Sequence, residues 1–521
     1  MSFLIKNAFV IDGTGKPGRT GNVLIEGDRI KDTGPHLQAT PGSEVIDGEG
    51  LTLCPGFIDA HSHSDISILA APEAYGKISQ GVTTEIAGNC GLSAFPVNRN
   101  NREHLQELYR NYGVEITWSS FREYGAEIDR RNPAVNILAL CGHNTLRAAG
   151  AGYEQKELSG QQQTTIQELL NDSLRQGAAG LSSGLLYVPG KFSDTGELCR
   201  MLEILAGFKR PYATHLRSEG NRLIEAIEEA VSACSASGQR QLHISHLKTA
   251  GEKNWGKLDA ALTAIAQASA GNLDVTADCY PYIESMTQLS MILPEPYDNM
   301  DDVAFQKFIN AGEQNFAAVC ARLAEYPPRR WQTVRLVSTN ADGMNAFAGT
   351  TFEQIAAARQ TRPEKICAEI LRADAAGAMT AFQGMSPENV KRIAALPFTS
   401  CGTDESARPE DYSLGRSHPR GFGAFPIFFA LLKDVLPLEE IIRKCTSLPA
   451  SVFGLKERGR IAPGAYADLI LFDPMHFNSP ADFAAPHRPA QGIRSVWVNG
   501  RMGYSANNVI SHRSGRFIAL H

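Results

Sequence analysis

The chain has 521 residues, 43% of them hydrophobic and 20% charged, with a formal net charge of -6. That profile is a soluble globular protein with enough apolar sequence for one large barrel and an appendage. No block of basic residues stands out, which argues against nucleic acid or a membrane surface as the main partner, and no apolar run is long enough to span a bilayer.

The N-terminus, MSFLIKNAFVIDG, lacks a basic region, a long apolar core and a small-residue cleavage site. No signal peptide is expected, and the chain reads as cytoplasmic. Its ten cysteines are scattered with no CxxC pair, which points to free thiols, most of them core residues. The first fifty residues are short alternating runs closed by Asp-Gly or Thr-Gly, such as FLIKNAFVIDGTG and NVLIEGDRIKDTG. The same texture returns near the C-terminus in GRIAPGAYADLILFDP and SVWVNGRMGY. Residues 1–54 and 455–521 are therefore expected to combine into one small β-sandwich.

Between them, over residues 55–454, strand-like apolar runs alternate with longer amphipathic stretches such as TTIQELLNDSLRQ and LIEAIEEAVSACSA. The strand candidates in chain order are LTLCPGFIDA, GVTTEIAGNC, AVNILALCGH, AAGLSSGLLY, PYATHLRS, QLHISHLK, LDVTADCYPY and PFTSCGTDES. Eight such units predict an α/β fold, a parallel (β/α)8 TIM barrel. One connection is far too long for a loop. The chain from Tyr282 to Pro397 carries helical patterns of its own, including DDVAFQKFINAG, and residues 284–345 are read as an inserted lid.

His61 and His63 follow the first strand candidate. Alternate side chains of a strand point the same way, so a His-X-His pattern can aim two imidazoles at one ion. Alone, the pair is as well explained by two polar residues after a core strand. Further donors recur at later strand ends, where such barrels build their sites: Cys90, His143, His215, His246, Lys248, Tyr280, Tyr282 and Asp404. Each has a plain structural explanation in isolation. His215 can be a satisfied core histidine, Cys90 a small buried hydrophobe, Asp404 a helix cap. His243 has the opposite facing parity to His246 and is set aside. Together, sulfur and nitrogen donors suit Zn²⁺.

The segments PGFIDAHSHSD, GVTTEIAGNCGLSAFP, THLRSEG, ISHLK, DVTADCYPY and HPRGFGAFP resemble the amidohydrolase superfamily. Within it they resemble the D-aminoacylases, or N-acyl-D-amino-acid deacylases, over nearly the whole chain. The first segment identifies only the superfamily. Asn89-Cys90-Gly91, standing where hydantoinases and dihydroorotases carry a carboxylated lysine, is far more specific. The resemblance implies a zinc-dependent hydrolase that cleaves the amide of a small N-acyl-D-amino acid.

It implies a tight zinc site of Cys90, His215 and His246. A second, weaker position would use His61 and His63, with Cys90 able to bridge. Asp404 would be the general base and then the acid, and belongs to the metal set. Lys248, Tyr187, Tyr282 and Arg420 would hold the substrate, notably its carboxylate. The sequence departs from the family pattern around Asp404, where Thr403-Asp404-Glu405-Ser406 and a longer run precede His418-Pro419-Arg420. Arg416 is therefore an alternative to Arg420.

Three other readings compete. A dipeptidase acting on L-Xaa-D-Xaa is the nearest. A cyclic-amide hydrolase would want a lysine on the fourth strand, and that run offers none before Lys191, beyond its turn. A non-catalytic scaffold on the same fold predicts missing ligands, whereas this set is complete. The preferred side chain and the oligomeric state are left open.

Overall fold

Eight short runs, buried on both faces, pair in parallel around a closed circuit. They are Phe57–Asp59, Val82–Ala87, Asn136–Ala139 continued by Cys141–Gly142, Leu181–Gly184, Tyr212–His215, Gln241–Ile244, Asp274–Cys279 and Thr399–Cys401. Neighbours pair in sequence order through the seventh, which pairs with the eighth. The eighth returns to the first. Ala60 N donates to Cys401 O at 3.2 Å, Asp404 N to His61 O at 2.8 Å and His63 N to Glu405 O at 3.2 Å. This is the (β/α)8 barrel the alternating pattern predicts. The computed structural model describes residues 2–505 and 512–521.

Helices between the strands cover the barrel with one apolar face each. In Leu223–Ser237 the buried positions are Leu223, Ala226, Ile227, Ala230, Ala233 and Cys234. That is the three-and-four spacing of a helix lying on a sheet, with each buried Leu or Ile stabilising by roughly 1.5–3 kcal/mol. Gly238, at φ +74°, stops it. Gly160–Gln176 begins with a reciprocal capping box between Ser159 and Gln162.

Both chain ends enter one eight-stranded sheet. Thr52–Pro55 lies between Ser2–Val10 and Leu469–Phe472, so the two ends are hydrogen-bonded through it. The sheet folds back on itself where Arg29 bridges Tyr466, and it encloses Phe3, Ile5, Val23, Ile25, Leu469, Leu471 and Trp497. The last residues leave this sheet, and Phe517–Ile518 runs beside the third barrel strand.

The long connection after the seventh strand forms a unit with its own core. Its sheet places Met379–Gln383 between Glu284–Gln288 and Val334–Ser338, all antiparallel. The helices Asp302–Asn310, Glu313–Leu323 and Pro363–Asp374 pack on a core that includes Leu289, Phe305, Trp331, Phe352 and Leu371. The unit thus runs on to Gln383, past the expected limit at residue 345.

Candidate metal centre and active site

The donors converge at the C-terminal ends of the barrel strands. Just past the first strand, the rings of His61 and His63 lie 5.3 Å apart, and both reach Oδ1 of Asp404, at 3.6 and 3.1 Å. Cys90 follows the second strand. Its Sγ is 3.3 Å from His61 Nε2 and 3.4 Å from His246 Nε2. His215 ends the fifth strand, its ring 4.5 Å from that of His246. Both its ring nitrogens are buried with no hydrogen-bond partner among the described residues. A buried imidazole with both nitrogens idle is costly, and a metal bond would satisfy one of them.

Backbone strain positions three of these groups. Cys90, His246 and Asp404 have φ of +53°, +34° and +50°, a region that non-glycine residues rarely adopt. Gly91 makes the turn at Cys90 possible. It too is left-handed, and a Cβ there would fall 2.1 Å from Asn144 Oδ1 and 2.6 Å from Gly184 N. The turn brings the sulfur in among the imidazoles instead of leaving it in the wall.

A second ring of contacts fixes the donors. Asp278, in the seventh strand, accepts from His61 Nδ1 at 3.1 Å, from His243 Nε2 at 2.9 Å and from the His246 backbone N–H at 2.9 Å. Glu219 Oε1 lies 2.7 Å from His246 Nδ1 and 2.8 Å from Lys248 Nζ. Carboxylates behind imidazoles set the tautomer and raise ligand basicity. The sequence reading identified neither acid, and it set His243 aside. His243 is in none of the donor groups and stands behind Asp278, though parity does not carry from it to His246, because the sixth strand ends at Ile244 and His246 turns left-handed. The alternation that relates 243 to 246 no longer holds.

The protonation pattern shows a demand for positive charge. Burial depresses the imidazoles, but Asp278 and Cys90 lift His61 to about 10. Asp404 and Cys90 lift His63 to about 10. Burial and Lys248 oppose protonation of His246, yet Glu219 and Cys90 raise it to about 10. Burial disfavours the Cys90 thiolate, but the charges of His61 and His246 hold the thiol well below its ordinary value. Donors that gather this much charge on imidazoles are suited to a divalent cation, whose binding releases those protons. Among the described residues, three overlapping triads lie within ligating reach: His61-Cys90-His246, His61-His63-Asp404 and His215-Glu219-His246.

The cluster opens into a pocket of about 350 Å³, the scale of a small-molecule site. Tyr187, Lys248 and Arg420 line it, with Ser285, Thr287 and Phe382 from the inserted unit. The Tyr187 ring meets that of His215 edge-on at 5.0 Å. Arg420 lies 4.5 Å and Lys248 5.4 Å from the Tyr280 ring.

Some expected residues stand elsewhere. Tyr282 is not in the pocket wall. Tyr280 does not line it either, but lies behind it, its ring 6.5 Å from that of His246 and under Lys248 and Arg420, while Tyr282 packs edge-on against His418 at 5.0 Å. Arg416 donates to the carbonyls of Phe483 and Ala484, at 3.1 and 2.6 Å, outside the pocket. His143 is tied to Glu197 at 2.8 Å beneath its helix. Lys191 is held by Asp298 at 2.8 Å and contributes nothing to the metal donors.

Sulfur, imidazole and carboxylate donors pooled at the mouth of a parallel barrel define a metal-dependent barrel enzyme. The chain belongs to the amidohydrolase family, whose sequence model, "Amidohydrolase family", matches residues 44–401 and 429–504. It is 34% identical to an N-acyl-D-aspartate deacylase of Alcaligenes xylosoxydans xylosoxydans, over 99% of this chain and 95% of that protein. It is 30% identical to a D-aminoacylase of the same organism, over 99% and 97%. Among solved structures it resembles the N-acyl-D-glutamate deacylase of Bordetella bronchiseptica, complexed with zinc and a phosphonate mimic of the tetrahedral intermediate. That match has a TM-score of 0.82 and 29% identity and covers 99% of each chain.

Proposed function

We propose that this protein hydrolyses the amide bond of N-acyl-D-amino acids, releasing a carboxylic acid and a free D-amino acid, with zinc as cofactor. The observation that carries the reading is the buried Asp404 carboxylate beside a Cys-His donor cluster, in a pocket walled by Lys248 and Arg420. Cys90, His215 and His246 would hold the tight ion, and His61, His63 and Asp404 a second one. Zinc so bound lowers the pKa of a coordinated water and polarises a carbonyl oxygen.

The protein's own groups do the rest. Asp404, kept ionised by its cationic neighbours, takes the proton of the attacking water and passes it to the leaving amine nitrogen. Lys248 and Arg420 offer charge to the α-carboxylate, and Tyr187 packs beside His215 to bound the site. The inserted unit covers the mouth as a lid that excludes bulk water.

On this reading residues 55–454 are the catalytic domain, with the two chain ends as an accessory sheet. No described helix is long and apolar enough to cross a membrane, and a cytoplasmic location fits the free thiols. Zinc analysis combined with assays on N-acetyl-D- and N-acetyl-L-amino acids tests the proposal. Turnover of the D series with bound zinc supports it, and equal turnover of both series overturns it.

A further inference from the structure

Opposite sides of the pocket differ in chemistry. The barrel strands follow one another in sequence order, so the second faces the sixth across the barrel and the fourth faces the eighth. Lys248 follows the sixth strand and Arg420 the eighth. Leu92 and Leu108 follow the second strand and Leu186 the fourth, and all three line the pocket. The two cations thus stand on one side of the metal donors and the leucines on the other.

The three leucines are half-buried and join none of the apolar cores among the described residues. What they cover is the pocket. Apolar surface left to water there is unfavourable, and a hydrocarbon group laid on it is stabilised in proportion to the area covered. The polar groups nearby are already engaged. Asp65 accepts from the Gly88 and Ala94 backbone N–H groups, and its unpartnered Oδ1 is shut off from solvent. Asn111 accepts from Asn340 at 2.9 Å, and Arg408, over the Tyr112 ring, lies 3.6 Å from Glu405.

With the acyl carbonyl on the metal donors and the α-carboxylate drawn toward Lys248 and Arg420, the acyl chain leaves the carbonyl carbon away from those cations. That direction is the side of the second and fourth strands. An acetyl methyl ends beside the donors and leaves the leucines uncovered. We infer that the acyl group this enzyme removes is apolar and longer than acetyl, of about four to six carbons, and that Leu92, Leu108 and Leu186 receive it. The inference rests on the deacylase reading and names the acyl half of its substrate.

The test compares kcat/KM for the N-formyl, N-acetyl, N-butyryl, N-hexanoyl and N-succinyl derivatives of D-leucine and of D-glutamate. The zinc-loaded wild type is run beside Leu108→Lys and Leu186→Ala. In the wild type, butyryl should exceed acetyl by about 10-fold, the scale for burying two methylenes, with hexanoyl at least equal to butyryl. Succinyl matches butyryl in length but carries a charge, and should fall to the acetyl level or below. Leu108→Lys should bring the butyryl-to-acetyl ratio to about one and raise succinyl relative to butyryl. Leu186→Ala should lower the same ratio by about 5-fold, mainly through KM. Melting temperatures of both variants should stay near wild type.

A wild type that prefers formyl or acetyl, or that is indifferent to acyl length, overturns the inference. So does a wild type that prefers succinyl to butyryl, which would make this side of the pocket an anion subsite. Variants that lower every acyl substrate by the same factor overturn it too, because the leucines would then act on the fold alone. Failure of the wild type to cleave any N-acyl-D-amino acid would instead overturn the deacylase reading itself.

Discussion

The guanidinium of Arg420 lies 3.0 Å from Oδ2 of Asp404, and both side chains are buried. Arg420 also donates from Nη2 to the Asp404 backbone carbonyl, so it grips the residue at two points. Arg420 is thus a partner of the acid–base group as well as a cation in the pocket wall. Burial would raise the Asp404 pKa, but Arg420, His63 and His61 hold it well below the ordinary carboxylate range. A bound divalent ion would push it the same way. The carboxylate therefore begins the reaction as a base.

Asp404→Asn should retain the fold and lose about 10²–10⁴-fold in kcat, because an amide cannot accept the proton. KM should change far less. Stopped assays at saturating substrate, with zinc content measured in parallel, check this. Turnover within about tenfold of wild type would assign the base elsewhere.

Arg420→Met should move the acid limb of the kcat/KM profile to higher pH. Removing the nearest cation raises the Asp404 pKa, so protonation sets in at higher pH. Stability has the same sign. A depressed carboxylate contributes stability above its unfolded pKa of about 3.9, and that contribution is lost as pH falls through the folded value. The variant should lose stability at a higher pH than wild type during acidification, as followed by circular dichroism.

Cys90→Ala should release the tightly held zinc and abolish turnover, since thiolate is the strongest donor of the cluster. Asp278→Asn should weaken zinc by about 10–100-fold without removing a donor, because it loosens both His61 and the His246 backbone N–H, which positions a tight-site donor. Competitive titration with a chromogenic chelator separates the two. Equal loss in both variants would mean that Asp278 acts on the fold rather than on the ligand.

The barrel was legible because eight short strand-like runs alternate with longer amphipathic stretches that keep a helical period. The candidate donors could be picked out because strand ends are where a barrel gathers its chemistry, and the structure brings them together. Glu219, Asp278 and His243 could not be. Glu219 lies in a loop four residues past His215, and only the tertiary path carries it back to His246 and Lys248. Asp278 reads as one more strand residue until His61 and His243 are seen on either side of it. The extent of the inserted unit was hidden for a similar reason. Its closing strand pairs Gln383 with Glu284, a contact between distant segments that local pattern does not record.

Lys77 shows a structural demand on the same site. Its Nζ is fully buried and donates to Asp59 at 2.7 Å, Thr403 at 2.7 Å and the Glu405 carbonyl at 2.8 Å, with Glu85 at 3.1 Å. Thr403 and Glu405 flank Asp404, so this lysine braces the left-handed turn that presents the base. Lys77→Met should destabilise by about 3–5 kcal/mol, the penalty for leaving buried carboxylates without their cation. Urea denaturation measures it, and a change under about 1 kcal/mol would show that the acids are relieved by protonation or water.

The substrate's free α-carboxylate should be essential, and the D configuration with it. Lys248 is buried, pinned by Glu219 at 2.8 Å and placed 3.0 Å from His246 Nδ1, so its ammonium is fixed relative to the metal donors. With the acyl carbonyl directed to those donors and the carboxylate drawn to Lys248 and Arg420, two points of the substrate are set. The side chain should then turn, in the D series, toward the inserted unit's wall, which includes Ser285, Thr287 and Phe382. In the L series it should meet the barrel wall. Lys248→Met should raise KM by about 30-fold or more, in the range for truncating one partner of a buried charge pair. Zinc content should hold, because Lys248 is not a donor. Steady-state kinetics on paired enantiomers and on the α-carboxamide decide the matter. Undiminished hydrolysis of the carboxamide, or an unchanged KM in the variant, would detach Lys248 from substrate binding and leave it as a brace for Glu219 and His246.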